Sequence, residues 1–194
     1  MSAAPERADA ARNRHRILTA AARMVAAGGV ERLALDEVAR AADVGVGTVY
    51  RRFGDRAGLV FALLEEQDEL FRARIADGPP PLGPRGAPQE RLRAFLNALV
   101  DLSVEQRPLL LLAESSSPSA RYRNASYAFQ HTHTSGLVAE LRPDADAAYL
   151  ADALLAPFAP SLIDHQVRSG GFSPQRIKDG LDQLLRGLLP PGDG

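Results

Sequence analysis

A chain of 194 residues, 45% apolar and 24% charged, has material for one large domain or two small ones with a buried core. It holds no cysteine, which excludes structural disulfides, cysteine-ligated zinc and thiol chemistry. The net charge of −1 conceals a division: residues 1–54 carry nine Arg against six acids, and the remainder is net acidic, so a polyanionic partner is expected at the front only. Every basic residue but Lys178 is Arg. Arg offers a planar fork suited to phosphate and guanine, although a GC-rich genome produces the same bias. Apolar runs such as Leu109–Ala113 are far too short for a membrane span. The polar, basic N-terminus lacks the apolar stretch of a secretory leader. A cytoplasmic protein with no membrane partner is expected.

In chain order, Glu6–Gly28 reads as a first helix, with Ile17, Ala21, Met24 and Val25 at helical spacing and Gly28-Gly29 as its stop. Leu33–Ala42 and Val46–Phe53 are two short helices. Asp55 is a helix N-cap for a fourth, running to about Asp77. One face of it carries Leu59, Leu63, Leu70 and Phe71, and the other Glu65, Glu66, Asp68 and Glu69. Gly78–Pro88 is a Pro/Gly loop. Gln89–Gln106, Pro108–Ser115, Ser119–Leu141, Asp144–Ser169 and Ser173–Leu189 follow as helices, with Ser115–Pro118 a break and Gly192–Gly194 frayed. No segment sustains period-two alternation, so the expected fold is all-α with about nine helices. Residues 1–54 form a helix-turn-helix domain. Residues 55–194 are expected to form a rear helical domain, with 55–77 as the connecting helix.

The second and third helices have the form of a helix-turn-helix, which places its second helix in the major groove. The crossing needs a small residue, supplied by Ala39. The turn needs a residue tolerant of positive φ, supplied by Asp43, since Asp enters the left-handed region more readily than most side chains. Val49 locks the second helix. Gly45 and Gly47 permit close approach to the groove, and Thr48, Tyr50, Arg51 and Arg52 offer the hydroxyl and guanidinium groups that phosphates bind.

These residues, Leu33-Ala34-Leu35-x-x-Val38-Ala39, Val44 through Phe53 and Asp55-Arg56-x-x-Leu59, closely resemble the DNA-binding domain of TetR-family transcriptional regulators over roughly residues 12–64. The resemblance implies an all-α homodimer whose three N-terminal helices bind an operator in double-stranded DNA, and whose rear domain binds a small-molecule effector. By position it makes Val46, Gly47, Tyr50 and Arg51 candidates for groove contact, and Thr48, Tyr50, Arg52 and Arg56 candidates for phosphate contact. Arg14, with Arg12 and Arg16, is either a phosphate contact or part of a solvated face. The sequence departs from the family pattern at three points. Ala34 replaces a capping Thr or Ser that touches phosphate, Asp43 replaces the turn glycine, and Arg56 replaces a Lys.

His131 and His133 are two apart on one helix and diverge, so no metal site is expected. No nucleophile elbow, P-loop or dinucleotide motif occurs, and neither a catalytic role nor a cofactor is expected. Pro157 and Pro160 must interrupt their helix, either as a tolerated surface kink or as a bend that widens a cavity and frees carbonyls. Effector-lining candidates are Phe95, Leu99, Leu111, Tyr122, Tyr127, Gln130, His131 and Phe158, with Glu114, Phe129 and His133 beside them; the set is apolar and aromatic with a few polar groups. The resemblance places the dimer on the last two helices. The apolar stripe Ile177, Leu181, Leu184, Leu185 and Leu188 requires a partner. The expected function is a ligand-released homodimeric repressor. An activator or ligand-independent regulator is the near alternative, and a helical interaction module or enzyme the distant one.

Overall fold

The computed structural model describes residues 3–116 and 121–188. Among them all regular structure is helical: α1 (Ala3–Gly28), α2 (Leu35–Ala41), α3 (Val46–Phe53), α4 (Arg56–Asp77), α5 (Pro88–Glu105), α6 (Arg107–Ser116), α7 (Ala125–Leu141), α8 (Ala147–Leu155), α9 (Pro160–Asp164) and α10 (Pro174–Leu188). Ten helices replace the expected nine because the eighth splits at its prolines. α7 begins at Ala125 rather than Ser119, where the Asn124 side chain accepts a 2.7 Å bond from the Tyr127 amide and caps it. The expectations for Ser117–Ser119, Leu189 and the terminal glycines lie outside the described residues.

The chain divides into two compact units, Met1–Gln67 and Asp68–Gly194, so α4 contributes its first half to one and its end to the other. In the first unit, α1 packs on α2 and α2 on α3 around Ile17, Ala21, Val38, Ala39, Val49 and Leu59, all fully buried. α2 ends as a Schellman motif: the Val44 amide bonds to the Ala39 carbonyl at 3.0 Å and the Asp43 amide to that of Arg40 at 3.2 Å. Asp43 carries the turn at φ 51°, as expected of it. Gly54 ends α3 at φ 75°. Asp55 Oδ1 accepts from the Gly58 amide at 2.8 Å and caps α4. A Cβ at Gly58 would lie 1.9 Å from the Phe53 carbonyl oxygen, so α4 starts in backbone contact with the end of α3 and only glycine fits. Ala34 stands at the N-cap of α2 with no side-chain bond, as its lack of a hydroxyl requires.

The second unit has its core in the end of α4, α5, α7, α8, α9 and α10: Phe71, Leu92, Phe95, Leu99, Leu137, Leu155, Ile163 and Leu181 are buried there. α10 lies on α5, held by the Arg93–Asp182 ion pair and by Lys178 to Asp101 at 2.6 Å. The apolar stripe of α10 therefore has its partner within the chain. Ile177, Leu181 and Leu185 are buried in the core, and only Leu184 is well exposed.

The eighth expected helix breaks because Pro160 has no amide to donate. The Ala159 amide turns back to the Ala156 carbonyl instead of reaching that of Leu155. Arg121 Nη2 takes it at 2.9 Å. On the far side of the break, Glu114 Oε2 accepts from the Ser161 amide at 3.0 Å and caps α9. A π-helical turn, His165–Ser169, completes the segment.

Candidate nucleic-acid interface and small-molecule cavity

The exposed face of α3 follows from its buried one. Val49 and Phe53 anchor the helix, so the positions between them turn outward. Val46 is 43% and Tyr50 48% exposed; Gly47, Arg51 and Arg52 are also exposed, and Thr48 is half-buried. A Cβ at Gly47 would meet nothing within 4 Å, which leaves that side of α3 open to close approach. Val46, Gly47, Tyr50 and Arg51 thus form one exposed surface.

The other basic candidates are engaged within the unit. Arg52 Nη1 donates to the Ala10 carbonyl at 2.8 Å, and Arg56 Nη2 to the Val30 carbonyl. Arg14 pairs with Glu65 at 3.2 Å and Arg16 with Asp43 at 3.0 Å; Arg12 pairs with Asp9. His15 lies 3.5 Å from Glu66. Arg14 therefore has its counter-charge on α4, whereas Arg12 and Arg16 have theirs on α1 itself and in the turn after α2. The Arg16–Asp43 pair also spans a recess of about 490 Å³ between α1 and the end of α2.

Sequence reasoning missed Asp36. Its carboxylate faces the Tyr50 hydroxyl and holds the phenol pKa above its ordinary value, by charge first and by hydrogen bonding second. This places an anion beside the face that would meet phosphates. Replacing Asp36 by Asn is expected to strengthen DNA binding severalfold in a gel-shift titration at fixed salt, by removing like-charge repulsion and weakening the hold on the hydroxyl. Weaker binding would mean that Asp36 orients Tyr50 productively.

In the second unit, the effector candidates separate. Phe95, Leu99 and Phe158 are buried core side chains, and Leu111 is half-buried on α6. Gln130 bonds Ser126 at 3.2 Å, and His131 Nε2 contacts the Ala148 carbonyl at 3.1 Å. His133 lies between Phe95 and Phe129, with centroids at 4.6 and 6.1 Å. Burial first, and the Arg91 charge second, lower its pKa and favour the neutral ring. Tyr122 and Tyr127 alone of the eight line a cavity of about 390 Å³, together with Arg121, Tyr149, Asp152 and residues at the α8 break. Arg121, Tyr149 and Asp152 were not singled out from sequence; no local pattern marks residues that meet only across α7 and α8. The bend and the cavity are adjacent, since Leu155 and Ala156 line it. No group of three metal-ligating side chains occurs among the described residues, and no described helix is long and apolar enough to cross a membrane.

Residues 17–63 match the family model for bacterial regulatory proteins of the tetR family. The chain is similar to an HTH-type transcriptional regulator of Staphylococcus aureus strain MRSA252, with 21% identity over 90% of this chain and 93% of that protein. Its fold is similar to that of a transcriptional regulator from Rhodococcus sp. Rha1, at TM-score 0.69 and 21% identity over 90% and 95% of the two chains. It is also similar to NalD of Pseudomonas aeruginosa, the secondary repressor of the MexAB-OprM multidrug efflux pump, at TM-score 0.57 and 21% identity over 95% and 98%.

Proposed function

Because this chain is a transcriptional regulator carrying the TetR-family DNA-binding domain, we propose that it is a homodimeric, cytoplasmic repressor released from its operator by a small molecule, and not an enzyme. The observation that carries this reading is the exposed face of α3, where Val46, Gly47, Tyr50 and Arg51 project from a helix anchored by Val49 and Phe53. Two such helices, one per protomer, read successive major grooves of a partly palindromic site. The remaining arginines at the interface, Arg14, Arg52 and Arg56, act chiefly by holding the unit's shape, and any phosphate they touch is shared with an internal partner.

The dimer is assigned to α8–α10. Leu162 and Leu184 are exposed there at 39% and 58%, and Gly180 and Gly187 have nothing within 4 Å of an added Cβ, which favours close helix approach across a two-fold axis. The effector acts by binding one arrangement of the protomers better than the other; equal affinity for both would release nothing. The similarity to NalD, named a repressor, supports repression over activation.

Selection of fragments from a random DNA pool tests the proposal. The recovered fragments should share two inverted half-sites, bound by a species of twice the protomer mass. A monomer in solution, or recovered DNA without a common sequence, would overturn it.

A further inference from the structure

The cavity between α7 and α8 has an uneven supply of partners. Arg121 spends Nη2 on the Leu155 carbonyl, but its Nη1 is buried with no hydrogen-bond partner among the described residues. Its guanidinium carbon stands 5.8 Å from the Tyr122 ring centre and 5.6 Å from that of Tyr127, so the charge rests on aromatic faces and pairs with no described carboxylate at ion-pair distance. Burial lowers the pKa of the group. A buried donor without an acceptor is costly, and an anion placed on it recovers that cost.

The other charged and titratable groups around the cavity are accounted for. Glu114, whose charge Arg121 feels, accepts from the Ser161 amide through Oε2. Asp152 accepts from the Tyr127 hydroxyl at 2.5 Å through Oδ1, which also lies 3.5 Å from His131 Nε2. Burial, then the Asp152 hydrogen bond, pushes the Tyr127 pKa up to about 12, so that phenol remains a donor. The second Asp152 oxygen is open to accept, in a side chain 60% exposed. Tyr122 and Tyr149 present ring surface at 63% and 70% exposure.

We propose that this cavity takes an aromatic carboxylate carrying a hydroxyl at the far end of its ring, with the carboxylate on Arg121 and the hydroxyl donating to Asp152. The inference rests on the reading that the second unit senses a small molecule. A neutral apolar ligand leaves Nη1 unpaired. A cationic one meets Arg121 on the same aromatic faces that would attract it. A dianion such as phosphate sets a second negative charge toward Asp152. A single-ring or two-ring monoanion satisfies the donor, the acceptor and the exposed tyrosine surface together, and about 390 Å³ lies near the small end of ligand cavities.

Calorimetric titration of the full-length protein with 4-hydroxybenzoate, 4-hydroxybenzamide and 4-hydroxybenzylamine tests this. The acid should bind at least tenfold more tightly than the amide, and the amine more weakly still. Arg121→Met keeps the aliphatic stem against the rings and should erase the preference for acid over amide, while Arg121→Lys should restore part of it. Equal binding of acid and amide, tighter binding of the amine, or no binding of any probe overturns the proposal on the unaltered protein, whether or not the variants fold. A preference that survives in a folded Arg121→Met protein overturns it as well. A gel shift with operator fragments separates this from the wider reading. Arg121-dependent acid binding that leaves the operator bound supports the site and refutes release. Absent acid binding with normal operator binding refutes the site and leaves the DNA-binding assignment standing.

Discussion

Replacing Tyr50 and Arg51 together by alanine is expected to lower operator affinity by about three orders of magnitude or more, since each direct contact contributes roughly 1–3 kcal/mol and a dimer presents each twice. The effect should fall on binding and not on folding. Tyr50 is 48% exposed, Arg51 is exposed, and neither side chain supports the core formed by Val49 and Phe53. The salt dependence should weaken too, because any phosphate neutralised by Arg51 no longer releases counterions. A gel-shift titration at matched salt, beside a thermal melt, provides both measurements. Unchanged binding in a folded double variant would remove α3 from the interface. Arginines 14, 52 and 56 form the contrast. Each has a partner inside the unit, so their truncation should lower the melting temperature as well as the affinity.

Phe95→Ala is expected to destabilise the second unit by about 3–5 kcal/mol, the usual cost of emptying a fully buried aromatic site, or a fall of roughly 10 °C in Tm for a protein of this size. The side chain is 0% exposed and its ring stands 5.7 Å from that of Phe71 and 4.6 Å from that of His133. Three helices, α4, α5 and α7, therefore lose a shared contact at once. A residue lining an open ligand cavity would behave differently: its truncation would cost little stability and alter ligand range. Denaturant unfolding decides between the two, and a loss below about 1 kcal/mol would return Phe95 to the effector-lining set.

The candidate DNA surface was legible because its determinants are local. Asp43 must sit at positive φ if Ala39 and Val49 are to meet, and those residues lie within ten positions of one another. Asp55 caps α4 through a bond to Gly58, three residues away. Ala34, with no oxygen to offer, leaves α2 uncapped. Gly58 was equally local and was passed over: a glycine in the first turn of a helix, where alanine is the better helix former, is itself a signal of close backbone approach.

What resisted reading was pairing at long separation. From the sequence Arg14 is either a phosphate contact or part of a solvated face, and Glu65 lies on the polar side of another helix; only the packing of the first unit makes them partners. The stripe of α10 looked like an unpartnered face reserved for a second protomer, yet α5 covers most of it, because apolar periodicity states that a face is buried and not against what. Likewise the prolines at 157 and 160 announced a break, but not that Arg121 would take the Leu155 carbonyl and hold one nitrogen without a partner among the described residues, beside Tyr122 and Tyr127. The sequence by itself determined most of the helices, the Asp55 cap, the turn at Asp43 and the exposed face of α3, since these depend on interactions among neighbours in the chain. Only the tertiary structure decided which charges are spent, which apolar faces are already covered and where a cavity remains, since these depend on which distant residues the fold brings together.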